Sequence, residues 1–267
     1  MPLASPHSPP NRQFSDYRFG YHLPMTRALT RTHFHSSRLI RILTDLACVQ
    51  ATEPGTGFAE KLGLWVDYTN AIKLCAVHNN DSPARPAPPA DAPPMDAEFA
   101  RQRALLERAI TTASLPQAES AAGTVQAMPT ASDITVAFEP YRRYYVAQQR
   151  DMELKVPPLR SRVRDALAQA APAQRQLAAL DAALDGILSE REARLLGALP
   201  QLLKKRFGHL LKAHHLAQAD APATAAPKPA ACLTGFGQEM QTVLLAELDL
   251  RLQPALGLIE ALHHEQT

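Results

Sequence analysis

From Gln176 to Leu216 the chain reads QLAALDAALDGILSEREARLLGALPQLLKKRFGHLLKAHHL, a leucine-rich stretch with almost no residue that disfavours a helix. Leu177, Leu180, Leu184, Ile187 and Leu188 recur on one helical stripe. A stripe of that width must be covered by a neighbouring element. Near Arg191 the phase shifts before Leu195, Leu199, Leu202 and Leu210. A dimeric zipper keeps its heptad in phase, so this break favours packing inside a helical bundle. Pro200, just after Gly197, either kinks the segment or divides it into two helices.

Aromatics make up only 6% of the 267 residues and glycine numbers 11, a balance that disfavours sandwiches and barrels and points to an all-α chain. The 23 prolines do not oppose this, because they gather before Pro24, between Ser82 and Pro94, and between Pro222 and Pro229. The expected architecture is an N-terminal helical hairpin, Pro/Ala-rich linkers and a C-terminal bundle of long amphipathic helices.

Residues 1–34 read as a disordered tail, and patterned sequence starts only after Met25, so 1–24 are expected to be an extension from a misassigned start. The hairpin spans 35–79. Ser36 or Ser37 caps its first helix, with Leu39, Leu43 and Leu46 on one side; Phe58, Leu62, Trp65, Thr69, Ile72 and Ala76 form the stripe of its second. Residues 80–95 are a Pro/Ala linker with extended backbone. Residues 96–131 hold a single helix, capped by Asp96 and facing inward through Phe99, Leu106, Ile110 and Ala113, and then a loose connection.

The bundle occupies 132–267. Pro140 starts or kinks a helix with Tyr141, Tyr144 or Tyr145, Gln148 and Met152 on a common face, and Pro157 with Pro158 ends it. A further helix carries Leu159, Val163, Leu167 and Ala170. The last presents Phe236, Met240, Val243 or Leu244 and Leu248, and Pro254 opens a final turn with Leu256, Ile259 and Leu262. Long connections suggest that front and rear units move independently.

A net charge of +2 is too mild to define a partner, so local distribution decides. Between residues 140 and 164, Arg142, Arg143, Arg150, Lys155, Arg160, Arg162 and Arg164 face only Asp151 and Glu153. Arginine and tyrosine combine contact area with directed hydrogen bonds at interfaces. The expected partner-binding residues are therefore Tyr141, Arg142, Arg143, Tyr145, Arg150, Arg160, Arg162 and Arg164. The alternative is nucleic acid, with arginines on phosphates and rings on bases, though no known binding module surrounds the segment. Lys204, Lys205, Arg206 and Lys212 form a second cluster, read as complementing a helix dipole.

The spacings of five and six from His209 to His214 and His215 do not align ligands on one helix face, so no metal is expected. Cys48, Cys75 and Cys232 form no C-x-x-C pair; the first two read as small core residues, and a reducing cytoplasm fits best. The SEREAR carboxylates point to different sides of a helix, and no general acid, base or nucleophile can be assigned. No enzymatic activity and no cofactor are expected. Neither a transmembrane segment nor a secretory signal is expected, the last leucine-rich run being interrupted by Glu247, Asp249, Arg251 and Glu260.

SSRLIRILTDL, GFAEKLGLWVDYTNAIKL, YRRYYVAQQRDMELKVPPLRSRVRDAL, LAALDAALDGILSEREARLLGALPQLLKKRF and LLAELDLRLQPALGLIEAL together resemble an uncharacterised proteobacterial domain family of unknown function. The resemblance covers most of the chain after Met25. It implies a cytoplasmic protein encoded beside membrane proteins of motor-stator or peptidoglycan-binding type, and it carries over no catalytic residues. A helical scaffold or accessory protein that docks onto a membrane-associated assembly is the expected role.

Overall fold

A computed structural model describes residues 37–48, 58–79, 94–115, 130–219 and 229–264. The expected tail of residues 1–34, nearly all of the Pro/Ala linker, most of the connection after the single helix, His33 and His35 lie outside these residues, as does the side chain of Cys232. The described residues are helical and contain no strand. The helices are α1 (Arg38–Asp45), α2 (Phe58–Trp65), α3 (Tyr68–Asn79), α4 (Met95–Thr112), α5 (Ala131–Leu167), α6 (Pro172–Leu196), α7 (Leu199–Ala219) and α8 (Pro229–His263).

α5 is the centre of the bundle, and its length is the main departure from the sequence reading. Thr130 and Asp133 form a capping box: the Asp133 amide donates to Thr130 Oγ1 at 3.3 Å, and the Thr130 amide donates to the Asp133 carboxylate at 2.9 Å. From there the helix continues through Pro140, Pro157 and Pro158 to Leu167 without the expected breaks. Ile134, Phe138, Tyr141, Tyr145, Gln149, Met152, Val156, Leu159, Val163 and Leu167 are all buried, in steps of three and four. That unbroken stripe outweighs the hydrogen bonds the prolines forfeit, and all three proline rings lie on the solvent side. Gln149, not Gln148, occupies the inward position.

α8 likewise continues through Pro254. Its Phe236, Met240, Val243, Leu244, Leu248, Leu252 and Ile259 are buried, and α5 is its most extensive partner. α4 packs on both of these helices through Phe99, Leu106 and Ile110. α7 closes the group with Leu199, Leu203, Phe207 and Leu211. Pro200 falls in the first turn of α7, so it separates α6 from α7 and does not kink a single helix.

α1 lays Leu39 and Leu43 against α8. It ends in a Schellman arrangement: Ala47 is left-handed at φ 52°, and the Cys48 amide reaches the Leu43 carbonyl at 2.9 Å. Asp249 ties α1 and α4 to α8, accepting from Arg38 at 2.6 Å and Arg103 at 2.9 Å. These contacts build α1 and α4 into the same unit as the rear helices, which argues against independent motion of front and rear.

The expected second helix of the hairpin divides into α2 and α3. Asp67 caps α3 by accepting from the Asn70 amide at 2.7 Å, and this resets the helical phase. Asn70, Leu74 and Val77 are consequently the half-buried residues of α3, which packs on α6, while Thr69, Ile72, Cys75 and Ala76 are exposed. Cys75 is thus no core residue, whereas Cys48 packs against the core. Trp65 supports the arrangement differently from a buried anchor, since the Arg191 guanidinium lies 4.5 Å from its ring centroid.

Candidate functional site

The arginine- and tyrosine-rich segment falls wholly within α5, and the helix separates its residues onto different faces. Tyr141 and Tyr145, expected on the outside, are interior, with 2% and 0% of their surfaces exposed. Tyr141 joins Phe138, Phe207 and Phe236 in an aromatic cluster whose centroids lie 5.2–6.2 Å apart. Their place on the 3–4 stripe explains this: a ring on the core-facing side gains more from burial than from display. Tyr144 also turns inward, its hydroxyl donating to the Ile110 carbonyl at 2.7 Å.

Beneath Tyr145 lies a buried polar network that the sequence reading missed. Its hydroxyl donates to Glu247 at 2.7 Å, and Gln149 Nε2 donates to the same carboxylate at 3.0 Å and to the Leu196 carbonyl at 3.0 Å. Arg251 Nε closes the set at 2.9 Å, and Glu247 itself is fully buried. Burial first, and then the Glu247 charge, push the Tyr145 phenol well above its usual range, so the hydroxyl stays protonated and donating. The network links α5, α8 and the C-terminal end of α6. Its one linear clue was the paired carboxylate and cation four residues apart, Glu247 and Arg251, within a leucine-rich run.

Most of the segment's arginines satisfy carboxylates of this chain. Arg160 reaches Asp181 at 2.6 Å and Asp185 at 2.8 Å, and Arg164 reaches the same two at 3.2 and 2.8 Å. With only 13% of its side chain exposed, Arg160 is a clamp between α5 and α6 and not part of an open surface. Arg162 holds the buried Glu98 of α4 at 2.8 Å. Burial pushes the Glu98 carboxyl up, but hydrogen bonds from Gln102 and Arg101 and the nearby arginine charges outweigh it and hold the group below its ordinary value.

Arg142 and Arg143 both bond Glu139. Their hydrogen bonds, those of Arg142 first, bring the Glu139 carboxyl down to about 2, with both arginine charges adding to the effect and burial opposing it. Arg143 nevertheless presents 76% of its side chain to solvent. Arg150 is exposed and has no carboxylate partner among the described residues. Of the eight candidate residues, Arg143 and Arg150 are therefore the ones most open to a partner.

Around those two arginines the outer face of α5 carries an unexpected pattern. Val136, Pro140, Arg143, Ala147, Arg150 and Leu154 are all exposed and follow one another in steps of four, three, four, three and four. Val136 and Leu154 are each 72% exposed, far beyond what a residue of the bundle core shows. Thr135, Val136, Glu139, Pro140 and Arg143 line a shallow, open depression at the N-terminal end of this seam. This row lies on the face of α5 opposite its buried stripe. The inner stripe dominated the sequence pattern because it holds more and larger apolar residues.

Among the described residues, no group of three or more His, Cys, Asp or Glu converges as a metal site would require, and no helix is long and apolar enough to cross a membrane. Neither a curated protein nor a solved structure shows significant similarity to the chain. A family model described as "Protein of unknown function (DUF3348)" matches residues 25–264, from the residue where patterned sequence begins to the end of the last helix. The chain therefore belongs to the DUF3348 family of proteins of unknown function.

Proposed function

We propose that this protein is a non-enzymatic helical scaffold or accessory protein, and that the outer seam of α5 is the surface it offers to a protein partner. The observation that supports this is the exposed 4–3 row of Val136, Pro140, Arg143, Ala147, Arg150 and Leu154. Burying a Val or Leu side chain stabilises a complex by about 1.5–3 kcal/mol, which an unfilled seam leaves unused. Arg143 and Arg150 lie seven residues apart, so an amphipathic helix with carboxylates at matching intervals complements the row in shape and charge. A partner in a membrane-associated assembly, on its cytoplasmic side, agrees with the setting implied by the family resemblance.

The nucleic-acid alternative is the weaker one on physical grounds. It requires tyrosine rings that stack on bases, and Tyr141 and Tyr145 are buried while Tyr144 is committed to Ile110.

Two variants test the proposal: Val136→Glu with Leu154→Glu, and Arg143→Glu with Arg150→Glu. In mild-detergent affinity purification from the native host, both are expected to lose a protein that the wild type retains, with helicity and melting unchanged. Equal retention by wild type and both variants would show that the seam is not the docking surface. Recovery of RNA or DNA that washes off steeply with salt would favour the alternative instead.

A further inference from the structure

Several arginines of the bundle hold carboxylates, among them Arg38, Arg103, Arg160, Arg164 and Arg251. One face of α7 instead gathers cations along a groove without them. Lys204, Lys205 and Lys212, with His209, line a groove of about 420 Å³ against the first turn of α5, and no acidic side chain lines it. None of the three lysines has an ion pair among the described residues. Arg206, pointing to another side of the same helix, pairs with Glu239 of α8 at 2.7 Å.

Nor do these lysines serve the helix dipole. They sit in the body of α7, which runs from Leu199 to Ala219, and not in its last turn. Gly208 faces α5 at the Ile134 side chain, which would lie 3.4 Å from a Cβ at that position. The groove is walled on its second side by Ala131, Ile134 and Thr135. Three like charges lining one groove repel one another, and a multiply charged anion relieves that repulsion. Lysine supplies compact, mobile point charges, which suit the tetrahedral oxygens of phosphate. A volume of about 420 Å³ is of small-ligand size.

We propose that the groove between α7 and the start of α5 binds a ligand bearing two or more phosphate groups, held by Lys204, Lys205 and Lys212. This groove adjoins the N-terminal end of the α5 seam, Thr135 lining both, but shares no charged residue with it. The phosphate groups belong either to a free oligophosphate or to a phosphorylated lipid headgroup.

The test is titration calorimetry of the full chain with sodium tripolyphosphate, and flotation with phosphatidylcholine vesicles with or without phosphatidylinositol bisphosphate. Lys204→Ala/Lys205→Ala/Lys212→Ala is compared with Arg41→Ala/Lys73→Ala/Arg108→Ala, which removes the same number of charges at exposed positions elsewhere. The lysine variant is expected to bind about tenfold or more weakly than wild type, and the control within about threefold, at near-physiological salt. Lys205→Glu/Lys212→Glu, altering exposed positions only, should lose binding as well. Saturable tripolyphosphate binding without vesicle binding identifies a free ligand, and phosphoinositide-dependent flotation identifies a headgroup. Absence of both, or equal weakening in both triple variants, overturns the site.

Discussion

Replacing Arg251 by Met is expected to destabilise the protein by about 3–5 kcal/mol, because it removes the cation from a carboxylate that has no access to water. Glu247 is 0% exposed, and Arg251 is its charged partner within a set that otherwise contains the neutral Tyr145 and Gln149. Domains of ordinary stability have only about 5–15 kcal/mol in total, so a substantial share would be lost. Urea unfolding followed by far-ultraviolet circular dichroism measures the change. The double variant Arg251→Met with Glu247→Gln should recover much of it, since the charge that needed compensation is then absent. If the double variant were as unstable as the sum of its two single variants, the network would not be the cause.

The second large effect is expected at Phe207. Its ring is fully buried and lies 5.6 Å from Phe138, 5.5 Å from Tyr141 and 5.2 Å from Phe236, so it joins α7 to both α5 and α8. Phe207→Ala should cost about 3–5 kcal/mol, combining lost burial with the cavity left among three aromatic neighbours. Phe207→Leu should cost distinctly less, because most of the volume remains. Leu154→Ala, on the exposed seam, should change stability by less than about 0.5 kcal/mol. Comparable losses at Phe207 and Leu154 would contradict the assignment of inner and outer faces.

Helical class and most inward positions were readable because burial imposes a period. Leu39 and Leu43, Phe99, Leu106 and Ile110, and Phe236, Met240 and Leu248 all emerge from spacing alone. Pro140 reads as a start or kink, Pro157 with Pro158 as an end and Pro254 as the opening of a final turn, yet all four lie inside helices, since a local rule about missing amide donors says nothing of the tertiary stripe on either side. Asp67 was overlooked as a cap because the apolar spacing from Leu62 to Ala76 continues past it.

The candidate surface was partly legible. The density of arginine around Tyr141 and Tyr145 drew attention to α5, yet composition cannot say which residues find partners. The carboxylates that absorb Arg160, Arg162 and Arg164 come from Asp181, Asp185 and Glu98, distant in sequence. The outer seam was hidden for a different reason. Its members alternate apolar and cationic side chains, so no hydrophobicity pattern exposes them until the opposite face is known to be buried.

The account rests on α5 being one helix through all three prolines, with the core on one side and an open seam on the other. Spin labels at Val136 and Arg162, with Cys48, Cys75 and Cys232 replaced by Ser, measure this by pulsed electron resonance. At 1.5 Å per residue, a continuous helix separates these positions by roughly 39 Å, and a single narrow distance population near that value is expected once label arms are included. A markedly shorter distance, or a broad distribution, would show a helix broken at its prolines and would contradict the account.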